Sequence, residues 1–177
     1  MIYSSLYSSP LGSITLASDE TSIIGLWFNG QRHFGNILPE LTEQKELSIF
    51  KDAKRWLDIY FSGKEPQFLP PLKYDSTPFR KAVCDIMLTI PYGKTMTYGE
   101  IAEKIAEEKG IKKMSAQAVG GAVGHNPISI MIPCHRVVGT SGSLTGYGGG
   151  MDRKVKLLKL EKTDMSKFFV PKKGTAL

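Results

Sequence analysis

Cysteine is scarce in this chain, since only Cys84 and Cys134 occur among 177 residues. Two cysteines are too few for a disulfide framework, and their spacing excludes a C-x-x-C metal motif. The sequence also lacks a basic start followed by an apolar stretch, and no run approaches the roughly eighteen apolar residues of a membrane-spanning helix. We therefore expect a protein of a reducing, intracellular compartment, neither exported nor embedded in a membrane.

Positive charge is concentrated in the C-terminal part of the chain. Residues 1–75 hold 7 Lys and Arg against 9 Asp and Glu, a net charge of −2. Residues 76–177 hold 16 against 8, a net charge of +8. Such asymmetry favours a polyanionic partner on one face, with nucleic acid the leading candidate. The alternative is a basic surface that serves only solubility.

The first third of the chain predicts a small antiparallel sheet followed by one helix. The pieces IYSSLYS, GSITLAS and SIIGLWF are separated by turn residues. In LSIFKDAKRWLDIYFSG, which Gly63 is placed to end, apolar residues recur at helical spacing, namely Phe50, Ala53, Trp56, Leu57 and Tyr60. The next stretch, KEPQFLPPLKYDSTP, carries four prolines and is a plausible linker. We place an N-terminal α/β domain at 1–74 and a C-terminal domain at 75–177.

The C-terminal domain is predicted to be mainly helical. Thr77 and Pro78 are suited to the N-cap and first turn of a helix whose apolar face is formed by Phe79, Val83, Ile86 and Ile90. Cys84 lies one position off that face, and we interpret it as a packing residue. The next helix begins at a capping box, TYGE, and closes at a glycine, Gly110.

A further short helix, SAQAVGGAVG, is capped by Ser115 and ends before Asn126-Pro127. Two short helices joined by a turn indicate a helix-turn-helix. The second of them consists almost entirely of Ala, Gly and Val. Small residues serve close helix packing in a core, and they also let a helix approach another surface, such as a narrow DNA groove.

Cys134 lies in IMIPCHRVVG, between a proline and a histidine within an apolar run. An apolar run of this kind predicts a buried strand, and Pro133 biases Ile132 away from helix, so we expect Cys134 at the end of that strand. Taken alone, a buried cysteine is more often inert packing than a reactive group. Its surroundings decide between the two interpretations.

Three stretches together resemble the O6-alkylguanine-DNA alkyltransferases, also called methylated-DNA-protein-cysteine methyltransferases. They are TYGEIA, SAQAVGGAVGHNPISIMIPCHRVVG and GSLTGYGGGMDRKVKLLKLE, and the resemblance covers roughly residues 75–162. It implies an α/β protein with a small N-terminal antiparallel-sheet domain and a mainly helical C-terminal domain that contains a helix-turn-helix.

By this resemblance, Cys134 is the alkyl acceptor, His135 polarises it through a bound water, and Glu161 orients the histidine. A free thiol with a pKa near 8.5 is only about 3% ionised at pH 7, so it needs such activation. Glu161 ends a predicted helix, where the helix dipole disfavours a carboxylate. Either something else holds Glu161 or it is a solvated terminal residue. Arg136 is expected to pair with backbone or carboxylate.

The resemblance also assigns residues around the substrate. Tyr98 would donate a hydrogen bond to guanine N3, and Asn126 would join the two motifs through backbone hydrogen bonds. From the residues alone, a tyrosine early in a helix, such as Tyr98, is usually a half-buried packing residue, and an Asn before Pro, such as Asn126, usually only ends a helix. The substrate-binding residues implied are Tyr147, beside the alkyl pocket, Gly148, where some members have serine, and Val137.

The helix at about Ser115 to Gly124 would enter the DNA minor groove, as the family implies. Gln117 departs from the family, which commonly has an arginine there to fill the space left by a flipped-out base. Gln can intercalate, but it lacks the charge and the full stacking plane of arginine. The DNA-binding residues implied are Ser115, Ala116, Gln117, Ala118, Gly121, Ala122 and Tyr98.

The function implied is repair of O6-alkylguanine in double-stranded DNA, with O4-alkylthymine as a possible further substrate, by irreversible, stoichiometric alkyl transfer to Cys134. No cofactor and no metal are expected, because nucleophile and acceptor are one atom. We expect a monomer in the cytoplasm, associated with the nucleoid, or in the nucleus of a eukaryote. The alternatives are a DNA-binding regulator that senses alkylation and, less compatible with a helix-turn-helix, a cysteine hydrolase using Cys134 and His135.

Overall fold

The computed structural model describes residues 1–35, 38 and 43–172 of the chain. The chain forms two compact units. The first consists of Met1–Asp75 and Pro127–Met131, and the second consists of Ser76–Asn126 and the chain from Ile132 onward. None of the helices in this described part has the length and hydropathy needed to cross a membrane. The protein is a mixed α/β structure, as predicted.

The first unit contains a four-stranded sheet formed by β1 (Tyr3–Ser9), β2 (Gly12–Ser18), β3 (Ile23–Phe28) and β4 (Glu43–Gln44). The strand order is β3-β2-β1-β4, and the first three strands pair antiparallel, which confirms the predicted meander. β4 pairs parallel with β1 over two residues. Such a short strand carries no periodic pattern, so the sequence did not reveal it.

The helix α1 (Ser48–Phe61) packs on β1, β2 and β3. It buries all of the residues that were predicted to form its apolar face, Phe50, Ala53, Trp56, Leu57 and Tyr60. Gly63 follows with φ +83°, a conformation that favours glycine, and the helix has ended by then, as predicted.

The segment Pro127–Met131 belongs to the first unit, although the sequence analysis assigned it to the C-terminal domain. Its backbone extends the edge of β3: the Leu26 N–H donates to the Pro127 carbonyl, and the Leu26 carbonyl accepts from the Ser129 N–H, both at 2.9 Å. Hydrogen bonding of this strand edge is a long-range effect that the local sequence does not reveal.

The second unit begins with three helices, α2 (Pro78–Met87), α3 (Tyr98–Lys109) and α4 (Ala116–Gly124), which pack on one another. The predicted N-caps are all present, since the side chains of Thr77, Thr97 and Ser115 each accept a backbone N–H of their helix. The capping box with Glu100 and the left-handed Gly110 that ends α3 are also confirmed. α2 is shorter than predicted and ends before Ile90.

The rest of the second unit is formed by a 3-10 turn (Cys134–Arg136), β6 (Val137–Val138), α5 (Met151–Leu160) and a second 3-10 turn (Met165–Lys167). β6 pairs parallel with β5 (Met96–Thr97). The prediction of a strand that ends at Cys134 is wrong, because residues 129–132 form turns and bends. An apolar run shows that a segment is buried but does not determine its backbone conformation.

The C-terminal segment is held on the loop that precedes α5. Phe169 donates its N–H to the Gly142 carbonyl at 3.0 Å and accepts the Leu144 N–H at 2.9 Å. Gly142 has φ +86°, and a Cβ added to it would lie 2.1 Å from the Lys167 carbonyl oxygen. Only a residue without a side chain allows this approach.

We expect Gly142→Ala to destabilise the protein by about 2 kcal/mol more than Gly110→Ala. Both positions have positive φ, but a Cβ at Gly110 would meet nothing within 4 Å. The control variant therefore carries the backbone strain alone, whereas Gly142→Ala adds displacement of the C-terminal segment. Urea unfolding of both variants and of the wild type measures the difference, and equal losses would contradict the close approach.

Candidate active site

The backbone around Cys134 is held in two consecutive tight turns. The Cys134 N–H donates to the Ile132 carbonyl at 2.8 Å, across Pro133 with φ −82° and ψ 65°. These angles are those of an inverse γ-turn, and the φ value is the one that a proline ring fixes. Cys134 then opens the 3-10 turn with 6% of its surface exposed. The proline therefore helps to fix the position of the thiol.

His135 and Arg136, which follow in the same turn, both bind Glu161 at the C-terminal end of α5. The His135 Nε2 lies 2.6 Å from Glu161 Oε1. Arg136 binds the carboxylate through Nε at 2.9 Å and Nη2 at 3.0 Å, and its Nη1 donates to the Ile90 carbonyl at 2.7 Å. Arg136 thus pairs with both carboxylate and backbone, as predicted, and Glu161 is not a solvated terminal residue.

Glu161 is 2% exposed and ionised. Burial alone would raise its pKa, but hydrogen bonds from His135 and Arg136 and the charge of Arg136 outweigh burial and lower the pKa to about 2. The Gly93 N–H also donates to Glu161 Oε2 at 3.1 Å. These partners overcome the unfavourable helix dipole at the end of α5.

Asn126 connects the end of α4 with the turn that contains Cys134. Its Nδ2 donates to the Ile132 carbonyl at 2.8 Å, in a buried position. Burial raises the pKa of the Cys134 thiol, while a hydrogen bond from Asn126 and the charge of Lys154 act to lower it. The net effect is a raised pKa, so the resting cysteine is a thiol at neutral pH.

Tyr98 and Tyr147 lie on different elements of this unit. The Tyr98 hydroxyl, at the start of α3, donates to the Thr145 carbonyl at 2.9 Å. Tyr147 is buried, and its ring stands edge-to-face to that of His135 with 6.5 Å between centroids. Its hydroxyl makes no hydrogen bond to any described residue. Of the other residues implied by the resemblance, Val137 is fully buried and Gly148 is half-buried.

Lys154 is a member of the site that was not predicted from the sequence. It is fully buried, and its Nζ donates to the Val137 carbonyl at 2.5 Å and to the Thr145 carbonyl at 2.8 Å. A signal was present in the sequence: Lys154 stands at helical spacing with Met151, Val155 and Leu158, on the apolar face of α5.

Most of the residues predicted to bind DNA lie on the exposed side of α4. Ser115, Ala116, Gln117, Ala118 and Gly121 are exposed. Ala122 is 4% exposed and packs in the core, so the helix does not present it on that face.

A Cβ added at Gly121 or Gly124 would meet nothing within 4 Å. Packing inside the described residues therefore does not require glycine at these positions. This observation favours close approach to an outside surface over close packing in the core as the reason for the small residues of α4.

Within residues 1–35, 38 and 43–172, no three His, Cys, Asp or Glu side chains are grouped so that they could hold a metal ion.

Comparison with protein families matches two domains. Residues 2–74 match the ribonuclease-like domain of 6-O-methylguanine DNA methyltransferase, and residues 78–163 match its DNA binding domain. A methylated-DNA–protein-cysteine methyltransferase from Haemophilus influenzae is 41% identical over 162 residues, which cover 91% of this chain and 87% of the relative.

Solved structures of the same family are also similar to this chain. The crystal structure of Mycobacterium tuberculosis O6-methylguanine methyltransferase is similar with a TM-score of 0.78 and 41% identity, covering 92% of this chain and 93% of that one. The structure of Mycobacterium tuberculosis OGT in complex with DNA is similar with a TM-score of 0.78 and 40% identity, over 90% and 92% of the two chains.

We expect Glu161→Gln to lower the free energy of unfolding by about 3 to 5 kcal/mol at neutral pH, because it leaves Arg136 without its buried counter-charge. Since the folded-state pKa of Glu161 is lowered from 4.5 to about 2, its contribution is complete above the higher value and is lost as the pH falls toward the lower one. Urea unfolding at several pH values measures the difference between the two proteins. A gap that stays constant down to pH 2 would contradict the assignment, and the exposed Glu103→Gln is the control.

Proposed function

We propose a function from the premise that this chain belongs to the 6-O-methylguanine DNA methyltransferase family: it repairs DNA by transferring the alkyl group of O6-alkylguanine to Cys134. DNA is its partner, and the protein is a transferase. The observation that carries the proposal is the placement of the buried Cys134 next in the chain to His135, whose Nε2 binds the ionised Glu161. Nucleophile, base and orienting carboxylate in this order are the arrangement that activates a weak nucleophile.

In the proposed reaction, Cys134 Sγ attacks the alkyl carbon bound to guanine O6. The sulfur–carbon bond forms while the carbon–oxygen bond breaks, and the bonding electron pair stays on the guanine, which then takes up a proton. The proton of the thiol leaves through a water molecule to His135. Atoms and charge balance without a cofactor or metal, because the sulfur is both nucleophile and final acceptor.

The protonation of His135 follows from its partner. Ionised Glu161 can only accept hydrogen bonds, so the His135 Nε2 that faces it carries the proton. The lone pair of the neutral ring is then on Nδ1, which is the nitrogen that receives the proton of Cys134 through water. Glu161 thus selects the tautomer of the base as well as its orientation.

We propose that the exposed face of α4 enters the minor groove and that the target base is flipped into the pocket beside Cys134. The small residues of α4 and the unfilled space around Gly121 and Gly124 support the entry of this helix into the minor groove. A base inside a duplex cannot be reached by a buried thiol, which supports flipping. The net positive charge of residues 76–177 supplies phosphate contacts.

The pocket for the flipped base is proposed to include Tyr98, Tyr147, Val137 and Gly148. Tyr147 supports this role, because its buried hydroxyl is available to a ligand and its ring stands beside His135. Phosphate and base contacts require one chain only, so we propose that the protein acts as a monomer, inside the cell where its DNA substrate is.

Repair is expected to be stoichiometric. The product at Cys134 is a thioether, which none of the proposed groups can hydrolyse, so each molecule reacts once. Incubating the protein with excess O6-methylguanine duplex should restore no more guanine than there is protein, and intact mass should show one methyl group added. Cys134→Ala should bind the duplex and transfer nothing, whereas Cys84→Ala should retain transfer. Repeated turnover would contradict the mechanism.

The second expectation concerns Gln117, which is exposed on α4. Flipping a base costs a few kcal/mol, and a side chain that enters the vacated stack recovers part of that cost. Gln117→Arg should therefore speed repair of duplex DNA, and Gln117→Ala should slow it. Neither change should alter the reaction with the free base O6-benzylguanine, which needs no flipping.

Single-turnover rates with both substrates measure these effects. Equal slowing of both reactions by Gln117→Ala would mean that Gln117 supports the pocket or the fold. If neither substitution alters duplex repair, the intercalating role belongs to another residue, and the exposed Lys112 and Lys113 are the next to test.

A further inference from the structure

The chain between α2 and α3 makes a tight turn at Gly93. The Lys94 N–H donates to the Pro91 carbonyl at 3.0 Å, which closes a turn of four residues. Gly93 is the third residue of this turn and has φ +74°, the conformation for which a type II turn favours glycine. The turn therefore fixes the direction in which the Gly93 N–H points.

This turn contacts the carboxylate of Glu161 and also its partner Arg136. The Gly93 N–H donates to Glu161 Oε2 at 3.1 Å, and the Ile90 carbonyl accepts from Arg136 Nη1 at 2.7 Å. The ring centroid of Tyr92 lies 5.7 Å from the guanidinium carbon of Arg136, within the range of a cation–π contact. The segment between α2 and α3 thus binds both members of the buried ion pair.

The donors to the Glu161 carboxylate come from two segments of the chain. Oε1 accepts from His135 Nε2 and Arg136 Nη2, and Oε2 accepts from Arg136 Nε. His135 and Arg136 belong to the 3-10 turn that contains Cys134, so these bonds fix Glu161 relative to that turn. The Gly93 N–H fixes Glu161 relative to the segment that leads into α3.

The same segment continues into β5, which pairs with the chain that follows Cys134. Thr97 of β5 lies opposite Val138 of β6 in a parallel pairing. Tyr98 follows directly as the first residue of α3, and Cys134 lies three residues before β6. The register of this pairing therefore determines where Tyr98 lies relative to Cys134. A ladder of two residue pairs makes few hydrogen bonds and holds its register weakly by itself.

We infer that Gly93 is a positioning residue of the alkyl transfer: its bond to Glu161 fixes the register between the segment of Tyr98 and the turn of Cys134. The inference rests on the proposed function, in which Tyr98 binds the guanine while Cys134 attacks the alkyl group. The role of Gly93 is alignment. A misplacement of reacting groups by about 1 Å slows a reaction by about 100-fold.

A side chain at position 93 would disturb this alignment. A Cβ added to Gly93 would lie 3.0 Å from the backbone carbonyl oxygen of Glu161, which is a closer approach than ordinary van der Waals contact. Gly110 offers a matched control, because it has φ +63° and a Cβ there would meet nothing within 4 Å. Both alanine variants carry the backbone strain of a positive φ, and Gly93→Ala alone also displaces Glu161.

The first test compares single-turnover transfer in the wild type, Gly93→Ala and Gly110→Ala, with O6-methylguanine duplex and with free O6-benzylguanine. Gly93→Ala should slow both reactions by about 10- to 100-fold, because both depend on the same alignment. Gly110→Ala should react at the wild-type rate with both substrates. A folded Gly93→Ala protein that reacts as fast as Gly110→Ala would overturn the inference.

A second variant removes the donor without adding a side chain, so it does not depend on the folding of Gly93→Ala. An ester in place of the Tyr92–Gly93 peptide bond replaces the Gly93 N–H by an oxygen atom. The control ester replaces the Lys109–Gly110 peptide bond and removes the Gly110 N–H, which donates to the Glu107 carbonyl at 3.1 Å. The ester at Gly93 should slow transfer, whereas the control ester should not. Equal transfer rates in the two esters would overturn the inference.

The pH dependence of stability separates a bond to ionised Glu161 from an ordinary backbone bond. Hydrogen bonds to a charged group are stronger than those to a neutral one, and the pKa of Glu161 is lowered to about 2. The bond therefore contributes fully at neutral pH and weakens as the pH falls toward 2. In urea unfolding, the stability lost by the ester at Gly93 should shrink over this range, whereas the loss in the control ester should stay constant. A constant loss in both esters would overturn the inference.

The transfer assays also distinguish this inference from the proposed function. A wild type that takes no alkyl group from either substrate would contradict the proposed function. A wild type that reacts, with both Gly93 variants reacting equally fast, would leave the proposed function intact and overturn the inference alone.

Discussion

The buried carboxylate of Glu161 holds together the three chain segments that form the candidate site. His135 and Arg136 reach it from the 3-10 turn, Gly93 from the loop after α2, and Glu161 itself ends α5. A carboxylate removed from water is tolerated only when its oxygens are satisfied, so these segments cannot shift independently. Cys134 directly precedes His135 in the chain. The hydrogen bond between His135 and Glu161 therefore also restricts the position of the thiol.

Burial sets the resting state of His135 and Cys134. It lowers the pKa of the imidazole, an effect to which the charge of Arg136 adds, so His135 stays neutral, and it raises the pKa of Cys134, which stays a thiol. A permanently ionised thiolate would react with any small electrophile that reached it. In the proposed function, where each molecule reacts once, a resting thiol protects Cys134 from such reactions.

The sequence predicted the features that depend on local chemistry. N-caps and the capping box involve residues within three positions of each other, so Thr77, Thr97 and Ser115 could be identified directly. The turn at Cys134 could not, because an apolar run is compatible with several buried conformations. Lys154 was missed for a related reason: only the fold shows whether a lysine on an apolar helix face extends to water or remains buried. The link between Cys134, His135 and Glu161 came from resemblance.

Asn126 connects the two parts of the proposed mechanism, which are DNA binding by α4 and attack by the Cys134 thiol. Its side chain, just beyond α4, donates to the carbonyl of Ile132, and the same carbonyl accepts the Cys134 N–H. One peptide oxygen therefore joins the end of the exposed helix to the backbone of the nucleophile. In the proposed complex, where the exposed face of α4 meets DNA, the helix would transmit its position to the thiol over two hydrogen bonds, without a flexible linker between them. Rigid placement of the reacting atom relative to the bound DNA is what converts binding into alignment for attack.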